Sequence, residues 1–434
     1  MKSVNPYGNT KSESGAGSCA RRLVFVAALA TVSSASAFAQ SSSITKVPES
    51  SSARLAIEPL TVIGPKGSGY LADPMPVHLA PGSDSRVQIM SGTTHAIIDC
   101  TYPISPGCFS WTPLSVAVGG DLQSKIDAAG ATVTNFQNVD LFQDDSGKWH
   151  AAVTIDVISK SHPQHWTVVA HAHPTQLVES GLAPLGWSAD TLLSGSFSDP
   201  AAGNYDAKYY EDGRQLYLLY VKNYVPEPKL RNEIVIQPMT SPTQPASVEP
   251  TVLLTPGDKD GGLVSEWYAN TQAKLVEAPN IARINGKYAL IYSTGAYLTS
   301  GYKAGVAWSD TLLPAPGHHY RKVLQPDVLG VWGTLGGLEV RYLVQSQKPR
   351  WPNFTDDQVI GPGVAAAVQS PTSVWWLYFN GFASNDMPVG NNGQVEGSHR
   401  RPYGLQLREA VPLDETVANA SDAELATWLQ PKTN

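Results

Sequence analysis

One phrase recurs five times along the chain: an opening residue, a short apolar strand, a polar turn, and a second strand rich in aromatics. Its clearest copy is Val276–Tyr297, VEAPNIARINGKYALIYSTGAY. There Asn280–Ile284 reads as a strand, Asn285-Gly286 is the dipeptide that best closes a tight hairpin, and Lys287–Ser293 reads as the partner strand. Asn204–Tyr220 repeats the pattern around a turn at Asp212-Gly213, and Asn138–Ile155 repeats it around Asp144-Asp145-Ser146-Gly147. Looser copies are Tyr70–Ile98 and Gly361–Phe379. A spacing of roughly 60 to 85 residues suits a blade of about four strands, so the expected fold is an all-β, five-bladed β-propeller.

Composition agrees with that class. The chain has 37 Gly and 33 Pro but only 15% charged residues, which gives many turns. Its apolar runs are short and rich in Val, Ile, Tyr and Trp, as strands are, and helical heptads are absent. With 30 Lys and Arg against 37 Asp and Glu, the chain carries no positive footprint for nucleic acid or an anionic membrane.

The first 39 residues read as a signal peptide: Arg21-Arg22, the apolar run 23–32, then small residues and the Ala37-Phe38-Ala39 cleavage pattern. A secreted or periplasmic protein is therefore expected, with either Sec or twin-arginine export. Residues 40–59 read as a Ser-rich, disordered lead-in, 60–410 as one catalytic five-bladed propeller domain, and 411–434 as a tail with a short helix. The helix signal is Ser421-Asp422-Ala423-Glu424, a capping box, with Pro431 as its stop. Cys19 leaves with the signal, so Cys100 and Cys108 are expected to pair as a loop staple in an oxidising compartment.

In a propeller the innermost strand of every blade lines the axis, so carboxylates from distant parts of the chain can meet there. Asp73, Asp140, Asp206 and Glu277 all stand at such positions. Glycoside hydrolysis needs this combination: one carboxyl protonates the leaving oxygen and another activates water. Trp267, Tyr297 and Trp308 are candidate sugar-stacking faces. Arg400 is a candidate partner for a sugar hydroxyl or a catalytic carboxylate, or else a surface charge. His171-Ala172-His173 places two imidazoles on one strand face with no carboxylate near them in sequence, which reads as structural.

Ala72-Asp73-Pro74, Asp206-Ala207 with its Tyr-rich hairpin, and Val276-Glu277-Ala278-Pro279 with its Asn-Gly hairpin resemble the three signature positions of family-43 glycoside hydrolases. Tyr302–Ser309 followed by Gly317-His318-His319-Tyr320 is similar to the text after that family's acid. The resemblance covers most of 69–408. It implies a five-bladed propeller that hydrolyses arabinose- and xylose-containing glycans with inversion. Asp73 would be the general base, Glu277 the general acid, and Asp206 the carboxylate that raises the acid's pKa and orients it. The implied partner is a pentose-containing carbohydrate, and a monomer is expected.

Two departures stand out. Ala278 occupies a place usually held by Gly and is expected to crowd the sugar. Val364 follows Gly361-Pro362-Gly363 where many members carry a His that helps hold an axial calcium, which leaves His399 as a weak substitute and a structural calcium in doubt. No cofactor is required. A glycan-binding propeller without catalysis is the alternative those departures favour. A related enzyme acting on fructosides would carry Asn-Asp-Pro and Glu-Cys phrases that the chain lacks.

Overall fold

The computed structural model describes residues 55–59, 62–64, 67–68, 74–77, 86–91, 96–101, 109–176, 183–200, 203–224, 231–257, 266, 275–297, 299–326, 338–346, 359–370, 373–383 and 400–433. All lie in one unit, Ala53–Asn434. The expected signal peptide lies outside them, as does Cys108 of the expected disulfide.

Four sheets are built alike. Each starts on an inner strand, meanders outward through antiparallel neighbours, and then hands the chain to the next. Their inner strands are Ala131–Gln143, Asn204–Asp212, Glu277–Ile284 and Val359–Gln369. The hairpins fall where turn chemistry puts them. Asn285 and Gly286 adopt φ 47° and 80°, both left-handed, and Ile284 pairs with Lys287 across them. Asn and Gly tolerate that conformation at little cost, which fixes the register of the strands they join.

Packing explains why these strands read as continuous apolar runs. In Gln215–Tyr224, Leu218 and Tyr220 pack toward the preceding blade with Ala152 and Val169, while Leu219 and Val221 pack toward the next with Ile281 and Leu290. In Lys287–Thr294, Leu290 and Tyr292 face back and Ala289 and Ile291 face forward, against Leu377 and Phe379. Side chains alternate across a strand, and here both faces are covered, so both must be apolar. Each fully buried Leu, Ile or Phe contributes about 1.5–3 kcal/mol.

The last blade joins the two ends of the described chain. Arg401–Glu409 pairs on one edge with both Ile57–Pro59 and Leu429–Pro431, and Leu55 bridges to Thr433. Ile57–Pro59, within the stretch read from sequence as lead-in, is therefore an outer strand, and Leu429–Pro431 of the expected tail is another. The helix Asp422–Trp428 starts at Ser421, whose hydroxyl accepts from the Glu424 N–H while the Glu424 side chain accepts from the Ser421 N–H. Trp428 meets Trp308 edge to face at 5.3 Å, which fastens the helix to the blade carrying Glu277.

A further six-stranded sheet is formed by Val62–Gly64, Gly67–Ser68, Pro74–Pro76, Arg86–Ser91, Ala96–Thr101 and Phe109–Pro113. Pro74–Pro76 lies beside Val359–Gln369, and Arg86–Ser91 lies beside Ala131–Gln143, so this sheet stands between the last and first of the four blades. The helix Gly120–Ala128 was not expected; its signal, Leu122 and Ile126 four residues apart and both buried, is only one turn long. The result is an all-β, propeller-like fold with four clear blades.

Candidate active site

All four inner strands break register: between Phe136 and Val139, between Tyr205 and Lys208, between Glu277 and Asn280, and between Gly363 and Ala366. At the last three breaks one non-glycine residue is left-handed: Asp206 at φ 52°, Ala278 at φ 50° and Val364 at φ 49°. Such a conformation costs roughly 1–2 kcal/mol per residue, so it persists only where neighbours hold it. The holders are visible. Asp206 Oδ2 accepts the Ala278 N–H at 2.9 Å, and Ser293 Oγ accepts the Val364 N–H at 2.8 Å. Asp206 Oδ1 in turn accepts from the side-chain amide of Asn138, one blade earlier. Repeated strain at equivalent places marks this end of the axis as a candidate site.

Glu277 stands at this end, half-buried, and its Oε1 accepts a hydrogen bond from Tyr302 Oη at 2.7 Å. Tyr302 opens the third strand of the same blade and is 1% exposed. Burial, then the charge of Glu277, with that of Asp206 adding to it, pushes its hydroxyl well above the ordinary tyrosine range, while Arg400 opposes the shift. The phenol is therefore a donor at any working pH. The Arg400 guanidinium lies 4.9 Å from the Tyr302 ring centre and donates to the Gly361 carbonyl at 3.3 Å and to Asn380 Oδ1.

Asp206 and Glu277 are thus brought to one place from adjacent blades. Tyr297, 39% exposed, follows the strand whose Ser293 pairs with Glu277, so it stands at the same end. Asp73, Trp267 and His399 lie outside the described residues.

Several expectations are corrected. Trp308 is 1% exposed and packs on Trp428, so it offers no stacking face to a sugar; propeller interiors consume aromatics. Arg400 is 3% exposed and is no surface charge. The Ala278 methyl is buried in one apolar cluster with Tyr302 and Val364, so it does not crowd a sugar. The Gly361-Pro362-Gly363 phrase has a packing reason: a Cβ on Gly363 would come within 2.1 Å of the Tyr302 ring.

Asp140 is wholly buried, its Oδ2 accepting the Tyr209 N–H at 3.0 Å, and burial pushes its carboxyl up to about 7 against the pull of Lys208 and that N–H. A base must be ionised and touch water, so Asp140 is better suited to clasping two blades. His171 and His173 do have a carboxylate companion: Asp190 lies 2.7 Å from His171 Nδ1 and 2.5 Å from His173 Nδ1, and His150 Nδ1 lies 3.0 Å from His171 Nε2. Among the described residues, no group of three or more His, Cys, Asp or Glu could hold a metal ion.

Sequence reasoning missed Tyr302, Asn138 and Ser293. Tyr302 heads the Tyr302–Ser309 stretch already noted, but nothing local distinguishes its hydroxyl from that of a core tyrosine.

No protein-family model matches the chain, and no curated protein matches it in sequence. Solved structures do match in fold. A thermostable family-43 glycoside hydrolase superposes with a TM-score of 0.53 at 15% identity, over 85% of this chain and 94% of its own. An α-L-arabinofuranosidase from Lactobacillus brevis gives 0.54 at 13% identity, over 80% and 96%. An exo-1,5-α-L-arabinanase from a bovine ruminal metagenomic library gives 0.51 at 15% identity, over 84% and 97%. At such identities the likeness establishes a shared fold.

Proposed function

We propose that the chain is a glycoside hydrolase acting on arabinose- or xylose-containing glycans, with Glu277 as general acid, Asp73 as general base and Asp206 as the carboxylate that tunes and orients the acid. The observation that carries this reading is the Asp206–Ala278 bond: it sets a second carboxylate beside the residue that follows Glu277. A negative neighbour disfavours ionisation of the acid and keeps its proton available near neutral pH. Tyr297 supplies a sugar-stacking face. Arg400, 3% exposed and laid against the Tyr302 ring, acts on the site through that tyrosine rather than on the sugar. The three solved structures of similar fold are named as a glycoside hydrolase, an arabinofuranosidase and an arabinanase, which supports the same substrate class.

The reading also makes the six-stranded sheet the fifth blade. Its strand Pro74–Pro76 begins directly after Asp73 and runs beside Val359–Gln369, the strand of Gly363 and Val364. An inverting reaction needs that base at roughly 6.5–9.5 Å from the acid, to leave room for its water. Export through a signal peptide cleaved after Ala39, with the protein working outside the cytoplasm, belongs to the same reading.

The test is release of 4-nitrophenol from the α-L-arabinofuranoside and the β-D-xyloside, and of sugar from arabinan and arabinoxylan, by wild type and by Glu277→Gln. Polymer turnover that falls at least about 100-fold in the variant supports the acid role, and the 4-nitrophenyl glycoside that is cleaved identifies the sugar. Wild type that binds the polymers but cleaves none of the four would replace this reading with a glycan-binding propeller.

A further inference from the structure

Tyr302 is held on three sides. Gly363 leaves room for its ring, since a Cβ there would meet Cε1 at 2.1 Å and Cδ1 at 2.4 Å. Arg400 covers the ring 4.9 Å from its centre, and is itself tied to the Gly361 carbonyl and to Asn380. Gly361, left-handed at φ 60°, closes on the same side chain, with Tyr302 Cβ 3.6 Å from where its own Cβ would stand. The hydroxyl points at Glu277 Oε1, 2.7 Å away. A buried phenol so constrained can give its hydrogen bond in one direction only, and that direction fixes the carboxyl it meets.

We infer that Tyr302 is the positioning residue of Glu277, and that the 361–363 phrase together with Arg400 exists to hold Tyr302 in place. This rests on the reading of Glu277 as the acid. Tyr302 touches no substrate in this scheme; it selects the rotamer that presents the Glu277 proton to the leaving oxygen. The groups facing this pair are Asp206 from the preceding blade and Arg400 from the following one. Both remain in every variant below, so a shift in pH profile reports on the missing hydroxyl. A donor to a carboxylate favours its ionised form, so removing the donor makes the acid hold its proton to higher pH.

Four variants test this: Tyr302→Phe, Gly363→Ala, which pushes the ring aside but leaves the hydroxyl, Glu277→Ala, and Glu277→Ala combined with Tyr302→Phe. Kinetics on the polymer that the wild type cleaves best, whose sugar leaving group needs the acid's proton, should show kcat down about 10- to 100-fold in Tyr302→Phe with KM changed less than about threefold, and the alkaline limb of the kcat profile moved to higher pH. Gly363→Ala should lower kcat in the same manner. Urea denaturation needs no activity: the midpoint shift caused by Tyr302→Phe should be at least halved when Glu277 is already Ala. An equal shift in both backgrounds overturns the inference, as does an unmoved alkaline limb with wild-type kcat. A wild type with no glycosidase activity, but with the two midpoint shifts coupled, would overturn the function reading and leave the hydroxyl as the holder of Glu277 in a binding site.

Discussion

Asp206 Oδ2 holds the backbone N–H of Ala278 at 2.9 Å, so the carboxylate on one blade fixes the left-handed turn that follows Glu277 on the next. The bond does two things. It satisfies a buried donor that strand pairing leaves over at the register break, and it sets two carboxylates one residue apart across a blade boundary.

Replacing Asp206 should therefore cost stability as well as activity. Asp206→Ala leaves the Ala278 N–H and the Asn138 amide without their acceptor and puts a residue less tolerant of φ 52° at that position. The orphaned buried Ala278 N–H costs about 1–3 kcal/mol, the half-exposed Asn138 amide about 1, and the backbone adds up to about 1. Urea denaturation should show a loss of about 2–5 kcal/mol. Asp206→Asn, which keeps one acceptor oxygen, should lose clearly less, while its kcat falls with that of the Ala variant because the negative charge is gone from both.

Asp140 gives a pH dependence. Its carboxyl is raised from 3.8 to about 7, chiefly by burial. Below about pH 4 folded and unfolded chains both carry the proton; between about 4 and 7 only the folded chain does. Stability due to this group is thus fully present at low pH, is lost as pH rises through that window, and is flat above it. The span is at most about 4 kcal/mol. In Asp140→Asn the Tyr209 N–H keeps an acceptor and the titration is removed. Denaturation midpoints measured from pH 4 to 8 should then fall less steeply than in wild type; parallel curves would refute the assignment.

The parts legible in the sequence were those decided within a few residues. Asn285-Gly286 specifies a hairpin because both φ angles must be positive, and Ser421 with Glu424 specifies a helix start because the two side chains answer each other's backbone. The blade-like repeat followed from such local signals in series. What could not be read depends on residues far apart in the chain: Asp206 meets a partner 72 positions on, and Val364 is held by a serine 71 positions back. Trp308 was misjudged for a related reason. An aromatic on a strand looks the same whether the neighbouring blade covers it or not, and here Trp428, from the C-terminal helix, covers it.

Gly286 separates stability from site geometry, since it lies at the far end of the hairpin from Glu277. A Cβ there meets nothing within 4 Å, so Gly286→Ala is opposed only by the φ of 80°. A loss of about 1–2 kcal/mol in urea is expected. Turnover per folded molecule should stay at the wild-type value. A fall in kcat would mean that the hairpin turn is transmitted along the strand to the carboxylate.

Lys322 and Glu266 form a pair with both side chains almost wholly buried, Nζ to Oε2 at 2.8 Å. Their remaining polar capacity is taken up: Lys322 also donates to the Thr255 carbonyl, and Glu266 accepts from the Gly257 N–H and from Tyr292 Oη. Lys322→Met keeps the stem but leaves a carboxylate buried beside an aliphatic tip, which costs about 3–5 kcal/mol. Tyr292→Phe removes one neutral donor and should cost only about 1–2. The double change Lys322→Met with Glu266→Gln should recover much of the first loss, because the charge that had lost its partner is gone. Thermal melts of the three variants check the order. If Lys322→Met alone proved no worse than the double change, Glu266 would have to be reached by water, and the packing of Ile234, Leu254 and Leu290 between the two blades would have to be looser than their burial indicates.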